Sequence, residues 1–188
     1  MSYKEIIYSK NVVEFVTVGV EFCLLLERAT EHSRAEFIDK AVKILPLLYL
    51  KATLLPDVIA ESDEFIEEFV SEEAYAMTVN TIADVLKDKD DYLETFHPDM
   101  KYSDTPVLAS ISEDLADIYQ DMKNFASTFS IGHELSMHDG LAICKENFGN
   151  FWGQKLLNAL GALHHLRFNP EENEDFESEE LPDTDWLK

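Results

Sequence analysis

Three clusters in this chain hold side chains whose types and spacing could do chemistry. The first is Glu113, Asp114, Asp117 and Asp121. On a helix, steps of three and four bring such carboxylates onto adjacent turns. Converging hard oxygen ligands are what a magnesium ion holding phosphates requires. All-helical, magnesium-dependent nucleotide pyrophosphatases place acids at such intervals, a parallel of fold class only. A partial echo, Ala83-Asp-Val-Leu-Lys-Asp88 against Ala116-Asp-Ile-Tyr-Gln-Asp121, would let two helices share four carboxylates. Phase opposes this: at 100° per residue Asp84 lies about 180° from the apolar stripe of its helix and should face water. The acids of the first cluster flank an apolar stripe, with Asp114 nearest its edge. In a chain this acidic, a solvated helix face is the reading preferred over a metal site built from Asp114, Asp117 and Asp121.

The second cluster is His133, Glu134, His138 and Asp139. Glu134 and His138, at i and i+4, could share a divalent ion on a helix. His133 to His138 is a step of five, wrong for the HExxH zinc arrangement, and Cys144 has no CxxC partner. Gly132 and Gly140 mark a loop-to-helix junction, where capping and turn roles account for these residues. The third cluster is His164, His165 and Arg167, whose cationic side chains suit the carbonyls at a helix C-terminus. Lys155, beside Trp152, reads as a snorkelling side chain rather than a base. The chain has no serine nucleophile elbow, P-loop or GxGxxG. No catalytic residue, metal ligand or cofactor is therefore assigned.

Helices must position these groups. Leu141, Cys144, Phe148, Phe151/Trp152, Leu156, Ala159/Leu160, Leu163 and Leu166 form one apolar stripe. They predict a long helix starting near residues 136–139, reaching about Phe168, on which the others pack. Phe148, Phe151, Trp152 and Leu156 should all touch neighbouring helices. In residues 9–29, Glu14, Glu21 and Arg28 recur every seven positions, one face of a helix but alternating sides of a strand. Ser9 or Asn11 is its candidate cap. Ser33 with Glu36 forms a capping-box pattern opening a helix whose apolar phase survives Pro46 and ends at Pro56. Residues 57–70 read as an acidic connector. Ser71 opens a helix with Tyr75, Val79, Ile82 and Leu86 inward. Residues 87–107, with His97-Pro98-Asp99 and Asp104-Thr105-Pro106, carry turn chemistry. Ser110 or Ser112 caps a helix with Ile111, Leu115, Ile118, Met122, Phe125 and Phe129 inward, broken at Gly132. The expected fold class is all-α: about five helices in an up-and-down, bundle-like single domain over residues 1–168, with no sheet. An acidic C-terminal tail, 169–188, is expected to stay unfolded.

Charge narrows the partners. The 188 residues carry 38 acids against 15 Lys and Arg, a net charge of −23. Nine acids and one lysine in residues 169–188 account for −8, leaving −15 on residues 1–168. Such a field repels phosphate backbones and anionic membranes. Glu14 and Glu21 break the apolar run 12–26, and no signal-peptide layout precedes it, so a cytoplasmic location is expected. Cys23 and Cys144 read as reduced, buried thiols.

Two segments, Leu115-Ala-Asp-Ile-Tyr-Gln-Asp-Met-Lys-Asn-Phe125 and Asn147-Phe-Gly-Asn-Phe-Trp-Gly-Gln-Lys-Leu-Leu-Asn-Ala-Leu-Gly-Ala-Leu-His164, resemble an uncharacterised family of bacterial helical proteins. The resemblance covers most of residues 10–168. It implies an all-α bacterial cytosolic protein and gives no residue a role. The leading functional reading is a non-enzymatic module that binds another protein, with a basic partner suited to the charge and a homodimer also admitted. A divalent-metal phosphohydrolase and an acidic nucleic-acid mimic on a basic protein are the rivals. Trp186 and Leu187, adjacent apolar residues at the end of an acidic tail, are the candidate binding residues.

Overall fold

The computed structural model describes residues 2–62, 68–94 and 107–169. His97-Pro98-Asp99, Asp104-Thr105-Pro106, the centre of the acidic connector and the tail with Trp186 and Leu187 lie outside the described residues. The described chain is mainly α-helical: α1 Tyr3–Ile7, α2 Lys10–Glu27, α3 Arg34–Thr53, α4 Glu72–Leu86, α5 Ile111–Ile131, α6 Glu134–Asn147 and α7 Gly153–Phe168. Two three-residue strands, β1 Asp91–Leu93 and β2 Leu108–Ser110, pair antiparallel with Tyr92 opposite Ala109. This ribbon corrects the expectation of no sheet; strands so short show no periodicity.

Local chemistry explains the helix starts. Ser33 Oγ accepts the Glu36 N–H and Glu36 accepts the Ser33 N–H in return, the expected capping box. Ser71 accepts from the Ala74 N–H. Ser9 precedes α2 without a side-chain cap bond. Pro46 lies inside α3, which continues through it. Neither candidate serine caps α5 with its side chain. Asp90 does that work from the foot of β1, accepting the Ser112 N–H at 2.8 Å and the Ser112 hydroxyl at 2.6 Å. Gly132 ends α5 in a left-handed conformation (φ 80°), which costs glycine little.

The helix at the centre is α5, not the late helix expected there: α5 touches α2, α4, α6 and α7. Its own Leu115 and Ile118 meet Phe15, Phe22, Trp152 and Leu156 in a core that Phe37 and Leu45 of α3 extend, all essentially excluded from solvent. α2 and α3 run antiparallel, tied by Lys51 to Glu14 at 2.7 Å and by Asn11 to the Leu54 carbonyl at 3.0 Å.

The late helical stretch runs from Glu134 to Phe168, but Phe148–Trp152 adopt a π turn between α6 and α7. Trp152 is buried there and Phe151 is 46% exposed, against the expectation that both are core. Adjacent helical residues point about 100° apart, and here the indole takes the core side while the Phe151 ring takes the outer one. Gly153 makes the turn possible: a Cβ there would overlap the Phe148 carbonyl oxygen and approach its ring to 2.9 Å. Gly153→Ala should therefore lose about 1–3 kcal/mol despite alanine's better helix propensity. Urea denaturation checks this, and a stabilised variant would contradict it.

Candidate functional site

The first acidic cluster divides: Glu113 is exposed, as a solvated face requires, whereas Asp114 and Asp117 turn inward. Asp114 and Asp117 lie three residues apart on α5 and face the start of α7, where Lys155 Nζ sits between them. It donates to Asp114 Oδ1 at 3.0 Å and to Asp117 Oδ2 at 2.9 Å. Two tyrosines complete the pair. The Tyr92 hydroxyl of β1 donates to Asp114 Oδ2, and the Tyr75 hydroxyl of α4 donates to Asp117 Oδ1 at 2.9 Å. Each carboxylate thus has one oxygen on the ammonium and one on a phenol.

Asp114 is 4% exposed, so the expectation of a solvated edge does not hold for it. Its phase carries the reason: it falls three residues after buried Ile111 and four before buried Ile118. Lys155 likewise reaches inward rather than out to water, because a buried carboxylate pair needs a counter-charge more than the ammonium needs solvent. Its stem passes Phe151, whose ring lies 5.3 Å from Nζ. Burial opposes the Lys155 charge, but the bonds and charges of Asp117 and Asp114 outweigh it and hold the ammonium protonated above the ordinary lysine range. Burial first, then the partner carboxylates, push both tyrosine hydroxyls above their usual range, so they act as hydrogen-bond donors.

Asp121, one turn further, stands apart from this pair. It accepts from Asn147 Nδ2 at 2.6 Å. Burial pushes its pKa up to about 6; the Asn147 bond opposes the shift and the Asp117 charge adds to it. A carboxyl whose folded pKa exceeds its unfolded value binds extra protons when folded. Stability should therefore fall as pH rises from about 4 through about 6 and stay lowered above that. Asp121→Asn, which keeps an acceptor for Asn147, should remove that fall and stabilise the protein at neutral pH by up to roughly 3 kcal/mol. Thermal melts across this pH range check it; an unchanged slope would contradict the assignment.

The second cluster separates. His133 is the N-cap of α6, accepting from the Ser136 N–H at 3.4 Å, and Glu134 is exposed in the first turn. His138 is buried, its ring 4.7 Å from that of Tyr3 and its Nδ1 3.1 Å from Asp139 Oδ1. Asp139 also accepts the Glu61 and Ser62 N–H groups at 2.9 and 3.1 Å, which fastens the acidic connector. Burial works against its charge, but those amides and His138 hold its carboxyl below the usual range.

In the third cluster His164 and His165 are exposed, whereas Arg167 reaches Asp39 on α3 at 3.1 Å beside Lys43 at 2.6 Å. Asp84 is exposed as expected, and Asp88 binds Arg34 at 2.9 Å. Both thiols are buried, and burial pushes Cys23 up to about 12. Arg167 was singled out in the sequence for a helix C-terminus, but its partner is Asp39 on α3. One linking cation escaped the sequence reading: Lys145, which donates to the Leu55 and Pro56 carbonyls and to Asp57 at the end of α3. Its place in the apolar stripe beside Cys144 was the available signal.

The site therefore defines an all-α protein with a closed carboxylate–ammonium–phenol network between α4, β1, α5 and α7. The chain belongs to the family described as "Domain of unknown function (DUF5063)", whose model matches residues 6–169. It is similar to the crystal structure of protein BF1032 from Bacteroides fragilis. That similarity is 48% identity over 88% of this chain and 97% of the other, with a TM-score of 0.79. No curated protein matches. No helix among the described residues is long and apolar enough to cross a membrane.

Proposed function

We propose that the chain is a non-enzymatic, cytoplasmic interaction module that receives a basic protein partner. The observation that carries this is where the cations go. Of the thirteen Lys and Arg among the described residues, at least eight are engaged with the chain's own carboxylates: Lys10, Arg34, Lys43, Lys51, Lys123, Lys145, Lys155 and Arg167. With 38 acids in the chain, the balance leaves a surface dominated by carboxylates. Such a field speeds encounter with a basic partner and selects against an acidic one. Leu47 and Leu50 on α3 and Leu54 at its C-cap continue one face at 36%, 51% and 45% exposure, supplying the apolar centre that a protein interface needs within a charged rim.

The phosphohydrolase reading meets an obstacle in the same geometry, since a metal on Asp114 and Asp117 would have to displace the Lys155 ammonium. The test is to capture the partner by crosslinking in the native cell and measure its binding to the purified chain at low and high salt. A basic partner whose affinity falls steeply with salt, and falls at least tenfold in Leu50→Ser/Leu54→Ser, supports the reading. Salt-insensitive binding overturns it, and so does magnesium or manganese raising the melting temperature with phosphohydrolase turnover. If DNA competes for the partner's surface, the module is a nucleic-acid mimic.

A further inference from the structure

A groove of about 910 Å³ runs between β1 and α7, lined on one side by Tyr92 and Leu93 and on the other by Leu157, Asn158, Gly161 and His165. Its walls are unusually apolar for so acidic a chain: Leu93 is 61% and Leu157 41% exposed. Its floor is low at Gly161, where an added Cβ would meet nothing within 4 Å, so a flat ring can lie against the helix backbone there. Asp88 and Asp91 line the same groove with Lys89 between them, a net negative lining that disfavours an acidic occupant.

We propose that the groove is the docking site of the chain's own Trp186-Leu187. Three observations select this occupant. The tail leaves α7 at Asn169, one turn beyond His165, and the groove lies within about three turns of that point. The 17 residues from Asn169 to Trp186 can span roughly 55 Å, more than enough to fold back, and a tether of that length holds its end near the groove at millimolar effective concentration. Within the tail, Phe176 stands between Asp175 and Glu177, and Leu181 follows Glu180, so either would carry acids against Asp88 and Asp91. Trp186 and Leu187 are adjacent and lie between Asp185 and Lys188, so this apolar pair has flanking charges that cancel, unlike Phe176 between two acids. A groove of this volume admits both side chains, and an indole supplies large buried area at small entropic cost. The acidic run Glu171–Glu180 then stays in solvent as the tether. The docking is independent of the basic partner proposed above and succeeds or fails separately.

Fluorine NMR of the full chain carrying fluorotryptophan tests it, since Trp152 and Trp186 are its only two tryptophans. Trp186→Phe assigns the Trp186 resonance, and a peptide of residues 180–188 gives its undocked position. The expected result is a broadened Trp186 signal displaced from the peptide position. Gly161→Gln, which fills the floor without adding charge, should return it to that position, as should Leu157→Ser on the wall. A Trp186 signal at the peptide position in the unaltered chain overturns the proposal. A displaced signal that neither variant moves overturns the groove as its site. A displacement lost on dilution assigns the contact to a second copy and overturns self-docking.

Discussion

Replacing Lys155 by methionine is expected to cost about 3–5 kcal/mol of folding stability, the usual penalty for stranding a buried charge. Asp114 is the group stranded: it is 4% exposed, and only the Tyr92 hydroxyl would remain on it among the partners described here. The loss measures the uncompensated carboxylate and not the worth of the ion pair, so Lys155→Met/Asp114→Asn should recover a large part of it. Urea unfolding of the single and double variants at neutral pH checks both statements. A loss under about 1 kcal/mol would mean that water reaches the carboxylates and solvates them.

Trp152→Ala should cost a comparable amount, about 3–5 kcal/mol. The indole is fully excluded from solvent, its ring centre 4.6 Å from that of Phe148 and 6.5 Å from that of Phe15. Its Nε1–H also satisfies the Cys144 carbonyl at 3.1 Å, just ahead of the π turn. Trp152→Phe separates the two contributions: it keeps most of the packing and removes only the indole bond, since the Phe148 N–H still reaches that carbonyl, a loss of about 0.5–1.5 kcal/mol. If alanine at 152 costs less than about 1 kcal/mol, the residue is not the packing centre described here.

Most of the helical architecture is legible in the sequence because the long helices carry an apolar phase of their own and two of them, α3 and α4, open on a capping serine. Ser33 with Glu36 marks the start of α3, and the repeat of Glu14, Glu21 and Arg28 excludes a strand for α2 despite its valines. The π turn is not legible: its cause is Gly153 under the Phe148 carbonyl, a steric fact with no periodic trace. The role of Asp90 is hidden for a different reason, since it caps α5 from 22 residues away. For the candidate site, the carboxylates on α5 were identifiable, but their direction was not. A count of acids at helical spacing says nothing of which lie on the apolar side; setting Asp114 between Ile111 and Ile118 does. Tyr75 is legible as an inward residue, but its bond to Asp117 and the whole role of Tyr92 are not, because hydroxyls reaching across from other elements depend on tertiary placement alone.

The Lys155 network has a consequence for time as well as energy. Its bonds join positions far apart along the chain: Lys155 to Asp114 spans 41 residues, and Tyr75 to Asp117 spans 42. Long loops must close before such contacts form, whereas helix turns form early from local ones. The network should therefore be absent from the folding transition state and complete only in the native state. Interactions of that kind govern the unfolding rate. Lys155→Met and Tyr75→Phe should shift the unfolding limb of a chevron upward and leave the refolding limb in place. A single ammonium between two carboxylates would then determine how long the folded molecule lasts, while the helices determine how quickly it forms.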